Sequence, residues 1–273
     1  MRGLFLYYND YMPINADSSK NIKWPLPEGI EAFKVSNLFD KDTLEEIKTT
    51  IVRDSDWGPG STTPYHTIVG RWVSEPNFSQ EIREKVLAAA KKYWNNENLR
   101  LKVLWSARYQ QHNGVTPYLW EHMDQSVCQY TLDFCVETSG FDSWGVIVDG
   151  EQFDEAENSG IFFMGQQQAH SRPPYPVDNK DAYIILLFGL FVDDTHWGYD
   201  LDLQDPSQED LFNELIQKYR YDGDIRYYEY SGHPPYFNDL PENNHPCIID
   251  GEECIQCWVA PKTFLDEIIS KNA

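Results

Sequence analysis

The run WEHMDQSVCQYTLDF, residues 120–134, sets His122 and Asp124 two positions apart in a segment of β-forming residues. Successive side chains of a strand point to opposite faces, so residues i and i+2 share a face and can converge on one point. A third candidate ligand, His170, follows 46 positions after Asp124 in QQQAHSRPP, residues 166–174. Two imidazoles and one carboxylate form a donor set that suits non-haem Fe(II) and leaves coordination positions open for small molecules. His122, Asp124 and His170 are therefore the candidate metal ligands.

Outward from this stretch, residues 102–192 break into short β-rich runs separated by Gly, Asn, Asp and Pro: KVLWSARYQ, YLWEHMD, VCQYTLDFCV, WGVIVDG, SGIFFMG, QQAHS and AYIILLFGLFV. Short strands at regular spacing with turn residues between them predict a sandwich or barrel. Before them lie two amphipathic helices. In DKDTLEEIKTTIVRD (40–54) Asp40 or Asp42 can cap, and Leu44, Ile47 and Ile51 form an apolar stripe. In SQEIREKVLAAAKKYWNN (79–96) Ser79 is the cap, with Ile82, Val86, Ala90, Tyr93 and Trp94 inward. Helices placed there brace one outer face of a sheet.

The segment 55–70 is turn-rich and reads as a loop. Its Trp57, Tyr65 and His66 are those of a plain surface loop or of a lid over a barrel mouth. After 193 the character changes. DPSQEDLFNELIQKYR offers Asp205 as cap and Pro206 at the first helical position, and PKTFLDEIISK reads as a closing helix. The expected organisation is an N-terminal bracing segment over 1–101, a β core over 102–192 and a C-terminal helical and loop extension over 193–273.

Composition excludes several function classes. The chain has 273 residues, 41% of them hydrophobic and 15% aromatic, enough to bury a core and contrary to disorder. A formal net charge of -22 repels a phosphate backbone, so no nucleic-acid partner is expected. No apolar run is long enough to span a bilayer, and the N-terminal residues do not pattern as a signal peptide. Neither a membrane association nor an export leader is expected. Five cysteines, odd in number and unevenly spaced, fit a reducing compartment, which makes the cytoplasm the expected location.

Taken in order, SARYQQHNG, EHMD, SWGVIVDG, SGIFFMG, QAH and then Lys180 resemble the Fe(II)- and 2-oxoglutarate-dependent oxygenases, in particular their prolyl-4-hydroxylase-like branch. The resemblance covers about residues 102–192. It implies a mostly β fold with flanking helices, namely a double-stranded β-helix (jelly-roll) core plus the C-terminal extension. It implies Fe(II) held by His122, Asp124 and His170, with 2-oxoglutarate as co-substrate and ascorbate as a candidate reductant. The expected activity is hydroxylation of a peptide or small metabolite with release of succinate and CO2. An intact carboxylate at Asp124 favours hydroxylation or desaturation over halogenation. Lys180, ten positions after His170, matches the cation that pairs with the distal carboxylate of 2-oxoglutarate, and Tyr109 matches a tyrosine bonded to the same group. Arg172 is a competing cation, Lys180 is equally a solvated surface lysine, and Tyr109 is equally an ordinary barrel aromatic.

Alternation puts Tyr118 and Trp120 on the His122 face and turns Arg108 away from the face of Tyr109. Gln129 and Trp144 either line the pocket or pack. Two readings compete with the oxygenase: a cupin-like metal enzyme that does not use 2-oxoglutarate, and a non-catalytic jelly-roll that binds a glycan or protein. The cupin-like enzyme would have no buried cation deep in the barrel. Separately, His245, Cys247, Cys254 and Cys257 could close a zinc site, although their spacing fits no common finger. Serine-hydrolase, P-loop and Rossmann motifs are missing from the chain.

Overall fold

The computed structural model describes residues 30–208 apart from 59–60, 62, 64, 67–69, 113, 123, 125–127, 166–167, 169, 177–178, 197 and 203–205. Beyond 208 it describes Leu211 and a small strand pair at 248–249 and 252–253. The side chains of Tyr65, His66 and Trp120–His122 are also outside the described set. The N-terminal 29 residues, most of the C-terminal extension and its Cys/His cluster lie outside the described residues.

Asp40 and Ser79 start the two helices. In α1 (Lys41–Asp54) the Asp40 carboxylate accepts from the Thr43 amide at 2.8 Å, satisfying one of the amide groups that a helix start leaves unpaired. In α2 (Gln80–Trp94) Ser79 Oγ accepts from the Ile82 amide at 3.2 Å, and Asn95 ends the helix in the left-handed region at φ 51°. The stripes Leu44, Ile47, Ile51 and Ile82, Val86, Ala90 are buried. Each larger aliphatic side chain so buried contributes about 1.5–3 kcal/mol.

These stripes pack on one large antiparallel sheet. Its strands are β1 (Phe33–Ser36), β2 (Tyr65–His66), β3 (Arg71–Ser74), β4 (Arg100–Gln110), β6 (Tyr130–Ser139), β9 (Ser159–Phe163) and β11 (Tyr183–Val192), in the order β1-β9-β6-β11-β4-β3-β2. A second sheet of four short strands, β5 (Leu119–His122), β7 (Val146–Val148), β8 (Glu151–Phe153) and β10 (His170–Arg172), runs β5-β10-β7-β8. With β4 to β11 divided alternately in this way, the architecture is a double-stranded β-helix, mostly β with two helices on one outer face.

Period-two alternation divides the large sheet into two cores. Leu104, Leu132, Phe134, Val136, Ile185 and Leu187 face the helices and join their stripes in one cluster. Ala107, Tyr109, Cys135, Ile184, Leu186 and Phe188 face the barrel interior and meet Trp144 and Tyr175 there. Val146, Val148, Ile161 and Phe163 close the interior from the small sheet and β9.

Several expectations change at this point. The segment read as a loop over 55–70 contains β2, which pairs with β3 and widens the large sheet. Trp57 packs against the helix-side core, which removes it from any lid over the barrel. Strands β1, β3 and β8 were not anticipated. Each is four residues or shorter, and its strand character comes from a neighbour already in place.

Candidate metal centre

Strands β5 and β10 are antiparallel neighbours, with His122 in register directly opposite His170. Two residues beyond His122, the chain leaves β5 and the Asp124 amide donates to the Gly165 carbonyl at 2.8 Å. That bond turns the Asp124 carboxylate toward β10. Its Oδ1 lies 3.5 Å from His170 Nε2, and its Oδ2 accepts from Thr131 Oγ1 at 3.3 Å.

Gly165 makes this approach possible. A Cβ there would overlap Asp124 Oδ2 and Thr131 Oγ1 and come within 2.9 Å of the Cys128 carbonyl. Only a glycine lets the loop run this close beneath the carboxylate.

His170 is buried, with its ring 4.7 Å from that of Phe163. Its Nδ1 is 3.0 Å from the Gln168 carbonyl, a contact that requires the proton on Nδ1 and leaves Nε2 to face Asp124. Gln168 is itself fixed. Its Oε1 accepts from the Met164 amide at 2.8 Å and its Nε2 donates to Asp149 at 3.1 Å. Burial lowers the His170 pKa, but the adjacent Asp124 carboxylate outweighs it and raises the net value. One carboxylate oxygen and one imidazole nitrogen thus aim at a common point, and the third donor of the expected set stands across the β5–β10 ladder. Among the described residues, no group of three His, Cys, Asp or Glu side chains converges, and the His122 side chain is not among them.

Deeper in the barrel, Arg172 follows two places after His170 on the same face of β10. It is fully buried, with Nη2 bonded to Asp133 of β6 and, at 2.6 Å, to Glu155. Its guanidinium carbon lies 5.2 Å from the Trp144 ring centre and 5.8 Å from that of Tyr109. One cation thus holds two carboxylates, a formal surplus of one negative charge. Burial pushes both carboxyls upward, Glu155 well above the usual range, while Arg172 pulls them back. Asp133 Oδ1 and Glu155 Oε1 are buried and meet no donor among the described residues.

The other expected site residues are distributed unevenly. Tyr109 is fully buried inside the barrel, where its ring meets Trp144 edge-on at 5.1 Å. Lys180 is not brought to the site. It is exposed in the turn before β11, and its carbonyl accepts from Gln110 Nε2 at 2.7 Å. Arg108 faces the opposite side of β4, stacked over Tyr183 at 3.9 Å. Gln129 packs away from solvent. It is buried in a hydrogen-bonded knot with Asp193 and Thr195.

No protein-family model matches the chain, and no curated protein matches it in sequence. The solved structures to which it is similar include 2-oxoglutarate-dependent enzymes and prolyl hydroxylases. One is the non-haem α-ketoglutarate-dependent epimerase SnoN from nogalamycin biosynthesis, at 11% identity and a TM-score of 0.45, covering 59% of this chain and 78% of that one. A prolyl hydroxylase from Trichoplax adhaerens, solved with a hypoxia-inducible-factor peptide fragment, aligns at 9% identity with a TM-score of 0.39, covering 59% and 83%. A prolyl-4-hydroxylase from Pseudomonas putida aligns at 12% identity with a TM-score of 0.41, covering 58% and 91%. No helix among the described residues is long and apolar enough to cross a membrane.

Sequence reasoning missed Gly165, Gln168, Asp133 and Glu155. A signal existed for Asp133, an acidic residue set between the apolar Leu132 and Phe134. Gly165 and Gln168 precede His170 by five and two positions and could have been read with it. Nothing local marked Glu155.

Proposed function

We propose that the protein is an Fe(II)- and 2-oxoglutarate-dependent oxygenase that holds iron through His122, Asp124 and His170. The observation that carries this reading is the approach of the Asp124 carboxylate to His170 Nε2 at 3.5 Å, with His122 registered opposite His170. The donor chemistry fits a divalent iron: one hard carboxylate oxygen, with imidazoles whose outer nitrogen can be fixed by a backbone carbonyl. When bound, iron and 2-oxoglutarate supply oxygen activation, with succinate and CO2 as the accompanying products.

The chain's own residues prepare the site. Gln168 holds the His170 ring in the tautomer that presents Nε2, and Gly165 with Thr131 holds the Asp124 carboxylate. Burial of Phe163, Ile161 and Val148 beside these ligands keeps bulk water from that side of the site. Tyr109 faces the same interior and is the tyrosine we assign to the co-substrate's distal carboxylate. The substrate proposed is a peptide, as for a prolyl hydroxylase, or a small metabolite.

Arg172 points inward, which a cupin-like enzyme without 2-oxoglutarate would not need, although its guanidinium is already bonded to Asp133 and Glu155. The test is an anaerobic titration of the full chain with Fe(II) and 2-oxoglutarate, following the visible charge-transfer band of the chelate. A band in the wild type that disappears in His122→Ala is the expected result. A folded wild type that gives no band overturns the proposal.

A further inference from the structure

We infer that Asp133 and Glu155 are positioning residues: acting through Arg172, they fix the register of β10 and so keep His170 opposite His122 and beside Asp124. The inference rests on the reading of these three residues as metal ligands, and it names the groups that hold the ligand strand in place.

The ladder of β10 specifies its register only weakly. The strand has three residues, His170–Arg172. It pairs with β7 through His170–Val148 and Ser171–Ile147. Its pairing with β5 is irregular: His170 faces His122 but Arg172 faces Leu119, so two steps along β10 match three along β5. A bulge of this kind leaves one residue unpaired and disrupts the ladder locally. A slip by one position would turn His170 to the outer face and bring Ser171 in. A contact outside the ladder has to choose between these registers.

Arg172 supplies that contact. It lies two positions after His170 on the same face, with 1% of its side chain exposed. Its Nη2 is bonded to Asp133 of β6 and to Glu155, in the turn between β8 and β9. Its Nη1 donates to the Trp144 carbonyl at 3.5 Å. Trp144 closes the ring of contacts: its amide donates to the Glu155 carbonyl at 3.2 Å and its Nε1 to the Pro173 carbonyl at 3.1 Å. A slip of β10 would swing the guanidinium out of this cage and leave both carboxyl groups buried without it, a penalty on every register but one.

β6 joins the two halves of the site. Thr131, bonded to Asp124 Oδ2, and Asp133, bonded to Arg172, are two positions apart on its inner face. One strand thus sets both the carboxylate ligand and the strand that carries His170. As packing alone the arrangement is costly. Asp133 Oδ1 and Glu155 Oε1 are buried without a donor among the described residues, and apolar side chains of similar volume would fill the space at lower cost. Selection of one register is what a buried charge provides and apolar packing does not.

The experiment uses the full chain and two readouts. Co(II) affinity is taken from the visible ligand-field bands, and the register of metal-free protein from nuclear Overhauser contacts between the His170 and His122 backbones. Far-UV circular dichroism and urea unfolding report folding and stability. Glu155→Ala should weaken Co(II) roughly 10- to 100-fold and lose the backbone contacts. Glu155→Gln and Asp133→Asn, which keep an oxygen for the guanidinium, should stay within about threefold of wild type and keep them. Val86→Ala truncates a buried side chain on the opposite, helix-side face of the large sheet, so it should lower stability and leave both readouts unchanged. If Glu155→Ala does not fold, Glu155→Asp takes its place, because it withdraws the carboxylate by one methylene and should weaken Co(II) several-fold. Wild-type affinity or wild-type contacts in whichever of the two folds, or an equal loss in Val86→Ala, overturns the positioning role and leaves the metal reading standing. If the wild type binds no Co(II), the metal reading fails and the backbone contacts alone decide the register assignment.

Discussion

Replacing Arg172 with methionine would remove the guanidinium that bonds two fully buried carboxyl groups. In the wild type Asp133 and Glu155 are both bonded to Arg172 Nη2, and burial pushes both carboxyls upward, Glu155 well above the usual range. Methionine roughly preserves the volume of the arginine stem, so the change is chiefly one of charge and hydrogen bonding. Breaking a buried ion pair by removing one partner typically costs about 3–5 kcal/mol, because the remaining charge keeps its desolvation penalty without its attraction. Glu155, pushed furthest toward its neutral form, adds less stranded charge than Asp133, so the range for a single broken pair applies.

Glu155→Gln provides the contrast. It keeps the Arg172–Asp133 pair and leaves an amide oxygen for the guanidinium, so its cost should stay within about 1 kcal/mol. The assay is equilibrium urea unfolding of metal-free protein followed by tryptophan fluorescence. Trp144, whose ring centre is 5.2 Å from the guanidinium carbon, serves as a local reporter. Arg172→Met should lose enough stability to lower the thermal midpoint by roughly 6–20 °C, taking about 2–4 °C per kcal/mol. A loss below about 1 kcal/mol for Arg172→Met, or an equal loss for Glu155→Gln, would refute the reasoning that the guanidinium compensates buried negative charge.

Two further outcomes follow from the packing and charge of the same molecule. Gly165→Ala should weaken Fe(II) or Co(II) binding at least tenfold, roughly 1.4 kcal/mol, because its Cβ displaces the Asp124 carboxylate; an anaerobic metal titration reads this, and wild-type affinity would sink the steric argument. Lys102 is buried and its Nζ donates to the carbonyls of Tyr199 and Leu201 at 2.6 Å each, while burial pulls its pKa down to about 8. Between pH 8 and 9.5 the unfolded chain therefore holds more protons at this group than the folded one, so this group's contribution to stability should rise with pH across that window. The buried thiols of Cys128 and Cys135, pushed up by burial, act in the opposite sense, so the readout is the difference in urea midpoints between wild type and Lys102→Met; it should shift in favour of the wild type as pH rises, and a difference that stays constant would count against the assignment.

The sequence by itself determined the elements whose signals are local. Asp40 and Ser79 cap their helices through side-chain bonds that span three residues, and the stripes at spacings of three and four face the sheet because helix geometry admits no other face. The long strands β4, β6 and β11 were legible because their apolar residues leave only a buried sheet as a home. His122, Asp124 and His170 were picked out as a candidate set by spacing and donor chemistry. Tertiary structure decided what depends on neighbours distant in the chain. Lys180 reads as an anchor by its offset from His170, yet the turn before β11 carries it to the surface. Arg172 reads as an alternative cation, yet Asp133 and Glu155, 39 and 17 residues away, converge on it. Periodicity and capping report the environment a segment needs. Only closure of the two sheets determines which charges share that environment, because the energy of a buried charge depends on the partners within a few ångströms rather than on its neighbours in sequence.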